Sequence, residues 1–102
     1  MNLPDLEKIA QECLSKKSFG DALYVICKAI DLGHEKPSLL KMKALCETEL
    51  KKFDEALKTL SEVIRMDPKD SSLYFQLGDL YYLWDRFEDA IKNYEIYIQS
   101  SP

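Results

Sequence analysis

Apolar residues recur along this chain with the period of an α-helix, and the pattern returns in register. Tyr74, Leu77, Gly78 and Tyr81 stand at i, i+3, i+4 and i+7, on one face of a helix. The same offsets pick out Leu6, Ile9, Ala10 and Cys13, and then Leu40, Lys43, Ala44 and Glu47. Each set is followed by a second helical stripe. The first is Phe19, Ala22, Leu23, Ile26 and Ile30, the second Phe53, Ala56, Leu57, Leu60 and Ile64, and the third Phe87, Ala90, Ile91, Tyr94 and Ile98. Ala22, Ala56 and Ala90 are equally spaced. Phe19, Phe53 and Phe87 precede them by one helical turn, and an acidic residue (Asp21, Glu55, Asp89) stands immediately before each. Recurrence at such a fixed period marks stacked supersecondary units. The reading is one domain over residues 1–102, divided into units 3–36, 37–70 and 71–102, each of two helices.

The breaks carry helix punctuation. Ser18 with Asp21, and Asp85 with Glu88, read as capping boxes opening second helices. Gly33 suits a left-handed helix stop, Pro37 suits a first helical turn, and Asp70 or Ser71 caps a helix opening at Ser71. Ala10, Ala44 and Gly78 on the first helices face Ala22, Ala56 and Ala90 on the second, so paired backbones approach closely. A single hairpin cannot bury its own apolar faces, so neighbours must stack. The predicted fold is all-α, a solenoid of three antiparallel helical hairpins.

Composition narrows the function. The net charge is −4, and no basic stripe overrides it, which speaks against nucleic acid. The apolar runs, such as residues 22–27, are too short to span a bilayer, so no membrane role is expected. Asp5, Glu7 and Glu12 near the start do not resemble a secretory leader. Three cysteines, Cys13, Cys27 and Cys46, without a dense framework read as free thiols of the cytoplasm or nucleus.

Tyr74, Leu77, Gly78, Tyr81, Ala90, Tyr94 and Pro102 together resemble the signature of the tetratricopeptide repeat family, with Tyr in place of its Trp and Phe. The second unit keeps Ala44, Ala56 and Pro68 but has Lys43 and Glu47 where Leu and Tyr are usual. The first keeps Ala10, Ala22 and Ala29, with His34 in the Pro position. The resemblance implies a right-handed superhelix whose concave groove is lined by one face of the first helices. Carried onto this chain, that face is Glu7, Gln11 and Ser15, then Lys41, Leu45, Thr48 and Glu49, then Phe75, Asp79, Tyr82 and Leu83. It also implies a protein partner, bound as a peptide or helix. Co-chaperones of the family grip a terminal carboxylate with Lys, Asn and Arg. The matching positions here are Glu7, Gln11, Met42, Ser72 and Gln76, so the chain lacks that clamp.

Chemistry-bearing motifs are sparse. His34 is the single histidine, no close Cys or His pair suggests a metal, and Gly20, Gly33 and Gly78 are isolated, so neither metal nor cofactor is expected. Asp54-Glu55 and Glu88-Asp89 sit where helix dipoles favour them, and Lys16, Lys17, Lys51 and Lys52 read as solvated turn residues. The expected function is an interaction module, a scaffold or adaptor, with a chaperone-like holder of a client as the alternative and no enzymatic activity. Ile91, Tyr94, Tyr97 and Ile98 exceed what one hairpin needs, and the third unit sets five anions against two cations. That end is expected to be covered in use, by a second copy (a homodimer), by further chain or by the partner.

Overall fold

Six helices run through the computed structural model, in which residues 2–100 are described. They are α1 (Leu3–Ser15), α2 (Phe19–Asp31), α3 (Pro37–Glu49), α4 (Phe53–Met66), α5 (Ser72–Leu83) and α6 (Phe87–Ser100). Each packs on the next, and α3 also touches α5, giving an all-α solenoid of three hairpins about 41 Å long. Pro102 of the family signature lies outside the described residues.

Local chemistry sets several helix starts, and Pro37 was legible in the sequence. The Asn2 side chain accepts from the Asp5 N–H at 3.1 Å ahead of α1, and Pro37 opens α3. Asp70, not Ser71, caps α5. Its Oδ1 accepts the Ser72 N–H at 3.1 Å and the Ser72 hydroxyl at 2.5 Å, and the helix begins at Ser72. The two expected capping boxes do not form. Ser18 precedes α2, but its side chain caps nothing, and Asp85 lies in the turn with φ 61°, far from the extended backbone of an N-cap.

Those turns hold a periodicity of their own. Lys17, Lys51 and Asp85 share the register of the alanines, and all take left-handed backbone, with φ of 58°, 64° and 61°. The same paired hydrogen bonds close each turn. Lys17 N donates to the Leu14 carbonyl and Ser18 N to that of Cys13. Lys51 and Lys52 repeat this onto Thr48 and Glu47, and Asp85 and Arg86 onto Tyr82 and Tyr81. This is the Schellman arrangement, normally built on glycine. Gly33 makes it after α2 with φ 95°. A side chain in this region is strained by roughly 1–2 kcal/mol, and glycine loses roughly 0.5–1 kcal/mol more chain entropy on folding. Lys51→Gly is therefore expected to raise stability by about 0.5–1 kcal/mol. The urea midpoint measures it, and a lower midpoint would show that the lysine is not strained.

Small residues hold the hairpins shut. Ala10, Ala22, Ala44, Ala56, Ala90 and Gly78 are all buried. Between hairpins, Leu6, Ile26, Ala29, Leu39 and Cys46 join the first to the second. Leu60, Val63, Leu73, Leu77 and Leu80 join the second to the third, flanked by Phe53, Leu57, Ile64 and Trp84. The second-helix stripes of α2 and α4 are thus covered by α3 and α5. No helix among the described residues is long and apolar enough to cross a membrane.

Candidate functional site

The first helices of the second and third hairpins are tied together at one end and leave a cleft at the other. At the tied end, Lys41 Nζ pairs with Asp70 Oδ2 at 2.8 Å and donates to Ser72 Oγ at 2.9 Å. Gln76 Nε2 donates to the Lys41 carbonyl at 3.0 Å. The hydrogen bond from Lys41, with that from Ser72, holds the Asp70 carboxyl below the usual range. Further along, a cleft of about 170 Å³ opens between α3 and α5. Leu45, Thr48 and Glu49 line it from α3, and Gln76, Asp79, Tyr82 and Leu83 from α5. Leu45, Tyr82 and Leu83 are exposed, an apolar group that the fold itself does not use up. Asp79 Oδ1 accepts from the Tyr94 hydroxyl at 2.5 Å, which orients the carboxylate from behind. Burial, and then this carboxylate, hold the Tyr94 phenol well above its usual value.

Of the residues expected in the groove, Leu45, Thr48, Glu49, Asp79, Tyr82 and Leu83 come together. Thr48 differs from the expectation in being buried. Its hydroxyl donates to the Ala44 carbonyl at 2.8 Å, a helical back-bond that takes it out of open contact. Lys41 is spent on Asp70. Phe75 is half exposed but packs on Tyr94 and Tyr97, with ring centroids 5.6 and 5.2 Å away, and does not line the cleft. Glu7 is ion-paired with Lys36 at 2.7 Å. Glu7, Gln11 and Ser15 line a separate shallow depression along α1 with Pro4, Lys8 and Glu12. Gln76 is the cleft residue that the groove pattern omits. Its register matches Met42, on the side of α5 turned toward α3, and in the sequence it stood only among the positions that match the family's carboxylate clamp.

The outer face of α6 is open where its counterparts are covered. Phe87, Ile91 and Ile98 are 53, 56 and 67% exposed, whereas Phe53, Leu57 and Ile64, their equivalents one repeat earlier, are partly buried under α5. Tyr94 and Tyr97 were expected in this exposed group and are not. Tyr94 turns inward beneath Gly78, and Tyr97 is partly buried against Phe75. Phe87 takes their place, with its ring edge on Tyr82.

A buried acid stands at the back of the central hairpin. Glu47 is 5% exposed, and the Thr59 hydroxyl donates to its Oε1 at 2.8 Å while lying 3.0 Å from the Glu55 carbonyl. Burial pushes the Glu47 carboxyl up, against the hydrogen bond from Thr59 and the charge of Lys43. Protonated, Glu47 donates to Thr59, which in turn donates to the Glu55 carbonyl, so the neutral form is fully satisfied. At Glu47 the folded state therefore binds more protons than the unfolded one just above pH 4.5. The contribution of Glu47 to stability falls as pH rises through that window, opposite in sign to Asp70, whose contribution is lost as pH falls below 3.8. Glu47→Gln keeps the acceptor and removes the charge. It is expected to raise stability at neutral pH and flatten the decline above pH 4.5, as measured by urea unfolding across pH. A variant with the parent's pH profile would contradict this.

Cys46 is buried between the first two hairpins, and burial pushes its thiol up to about 11, so it is a packing residue and not a nucleophile. No group of three His, Cys, Asp or Glu side chains among the described residues is placed to hold a metal.

Comparison with known proteins adds three findings. A family model described as TPR repeat matches residues 47–83, and another, described as tetratricopeptide repeat, matches residues 71–102. The chain is also similar to a curated protein of Mycosarcoma maydis, small glutamine-rich tetratricopeptide repeat-containing protein 2. It is 24% identical over 97 residues, covering 95% of the chain and 28% of that protein. The chain thus spans little more than a quarter of that relative's length.

Proposed function

The chain belongs to the tetratricopeptide repeat family, and on that basis we propose that it is a scaffold or adaptor holding a peptide or helix of another protein in the cleft between α3 and α5. Repeats of this family serve protein–protein interaction in general. The observation that supports this particular site is the exposed apolar group Leu45, Tyr82 and Leu83 beside the carboxylates of Glu49 and Asp79. Helices hold these side chains in place, so little ordering cost falls on binding. The test is a photo-crosslinking residue at position 82, compared with one at Tyr24, an exposed position on α2. One defined protein captured from cell extract at position 82 alone, and lost with Leu45→Asp, supports the reading. Equal capture at both positions overturns it. A chaperone-like holder would instead crosslink many unrelated clients at position 82.

The open face of α6 fits a second copy of the chain, as Phe87, Ile91 and Ile98 form an apolar stripe that could pack on itself about a two-fold axis. Sedimentation is expected to show a concentration-dependent dimer, abolished by Ile98→Lys. A strict monomer at high concentration would remove this part of the proposal.

A further inference from the structure

The polar groups left open in the cleft are mostly acceptors, and both charged ones are carboxylates, which decides what kind of segment it can hold. Gln76 gives one Nε2 proton to the Lys41 carbonyl, which leaves its Oε1 and its second Nε2 proton. Thr48 spends its proton on the Ala44 carbonyl. Asp79 has one oxygen engaged by Tyr94 and the other open, and Glu49 is exposed. Neither carboxylate has a cation in ion-pair range among the described residues, and Lys41 is held by Asp70. The Tyr82 hydroxyl and that second Gln76 proton are the donors on the lining without a partner among the described residues. An anionic segment would bring acceptors to acceptors and charge to like charge, a mismatch that excludes wrong partners. The space beside Leu45, Tyr82 and Leu83, about 170 Å³, is similar to cavities of ~150 Å³ that accept a benzene-sized group.

We propose that the cleft selects a cationic-apolar segment of its partner, in which a leucine- or phenylalanine-sized side chain fills the space between Leu45, Tyr82 and Leu83 while a neighbouring Lys or Arg meets Glu49 and Asp79. This rests on the cleft being the binding site. It reverses the charge logic of the carboxylate grip that this chain lacks. Arginine suits the site best, since its planar fork reaches two acceptors and its face stacks on an exposed tyrosine such as Tyr82.

The experiment titrates three short peptides into isotopically labelled protein and follows backbone amide shifts. One carries a leucine between two arginines, the second has glutamates in place of the arginines, and the third has alanine in place of the leucine. The first is expected to shift the amides of Leu45, Glu49, Asp79 and Leu83 and to bind about tenfold more tightly than the other two, with the advantage falling as salt is added. Glu49→Lys, at an exposed position with no ion-pair partner among the described residues, is expected to abolish the preference for arginine over glutamate without moving the unfolding midpoint. If the acidic peptide shifts the same amides equally well, the charge selectivity is overturned and the cleft stands. Shifts confined to other surfaces overturn both. No shifts from any peptide at millimolar concentration overturn the selectivity, and the crosslink at position 82 then judges the cleft independently.

Discussion

Leu73→Ala is expected to destabilise the chain by about 2–5 kcal/mol, a large part of the stability a domain this size possesses. Leu73 is fully buried at the start of α5, within the cluster that includes Leu60 and Val63 of α4. Stacked repeats owe their cooperativity to such interfaces, so weakening one both lowers stability and loosens the coupling between neighbours. Trp84 reports on this junction. Its ring stacks on Phe53 of α4 at 5.4 Å and on Tyr81 of α5 at 6.2 Å, with the Arg86 guanidinium 3.9 Å from the ring centroid. In the parent protein, Trp84 fluorescence and far-ultraviolet ellipticity should follow one urea transition. In the variant, fluorescence should change first. Coincident curves with a lower midpoint would mean lost stability without uncoupling, and an unchanged midpoint would remove Leu73 from the interface.

The second large effect lies inside the third hairpin. A Cβ added to Gly78 would meet the Tyr94 ring at 2.4–2.9 Å, closer than any real contact. The repeats explain the pairing. Ala10 stands in register with Ala44 and Gly78, and Ile26 with Leu60 and Tyr94, so the small residue loses its methyl where the opposite side chain becomes a ring. Gly78→Ala gains roughly 1 kcal/mol of helix propensity. Displacing the ring costs about 1–3 kcal/mol of overpacking and also disturbs the bond from Tyr94 to Asp79. The variant should therefore be less stable despite its better helix former. Adding Tyr94→Leu recreates the Ala44 and Leu60 pair of the second hairpin and should recover part of the loss, a coupling of about 0.5–3 kcal/mol in a double-mutant cycle. Additive effects would show that the two side chains do not compete for space.

The same contacts bear on the cleft. Phe75 and Asp79 make tempting positions at which to remove binding, but Phe75 packs on α6 and Asp79 receives the Tyr94 hydroxyl. Their truncation would loosen the third hairpin along with any ligand. Leu45 and Glu49 separate binding from folding more cleanly.

The hairpins were legible because burial repeats where the alanines repeat, and the helix starts at Pro37 and Asp70 because local chemistry dictates them. Other features had no local signature. Nothing about Lys17, Lys51 or Asp85 announces left-handed backbone, since their conformation is imposed by the two hydrogen bonds that close each turn. Ser18 resembles a cap, yet its backbone N–H is already used to finish the preceding helix. Lys41 reads as an open groove cation until the stacking of α5 brings Asp70 to it. Tyr94 reads as surplus apolar surface until the absent side chain of Gly78 gives its ring a place inside. The last two depend on contacts between different helices, beyond what the periodicity of any one helix encodes.

Cys46 gives the first two hairpins a chemical clock. Its sulfur is sealed among Ala10, Ala22 and Ile26, and its proton is held tightly, so an alkylating reagent can modify it only while that junction is open. Cys13 and Cys27 are partly exposed and supply, in the same chain, a reference for the reagent's own speed. The ratio of the rates measures how often the first hairpin separates from the second at equilibrium, with no denaturant and no engineered probe.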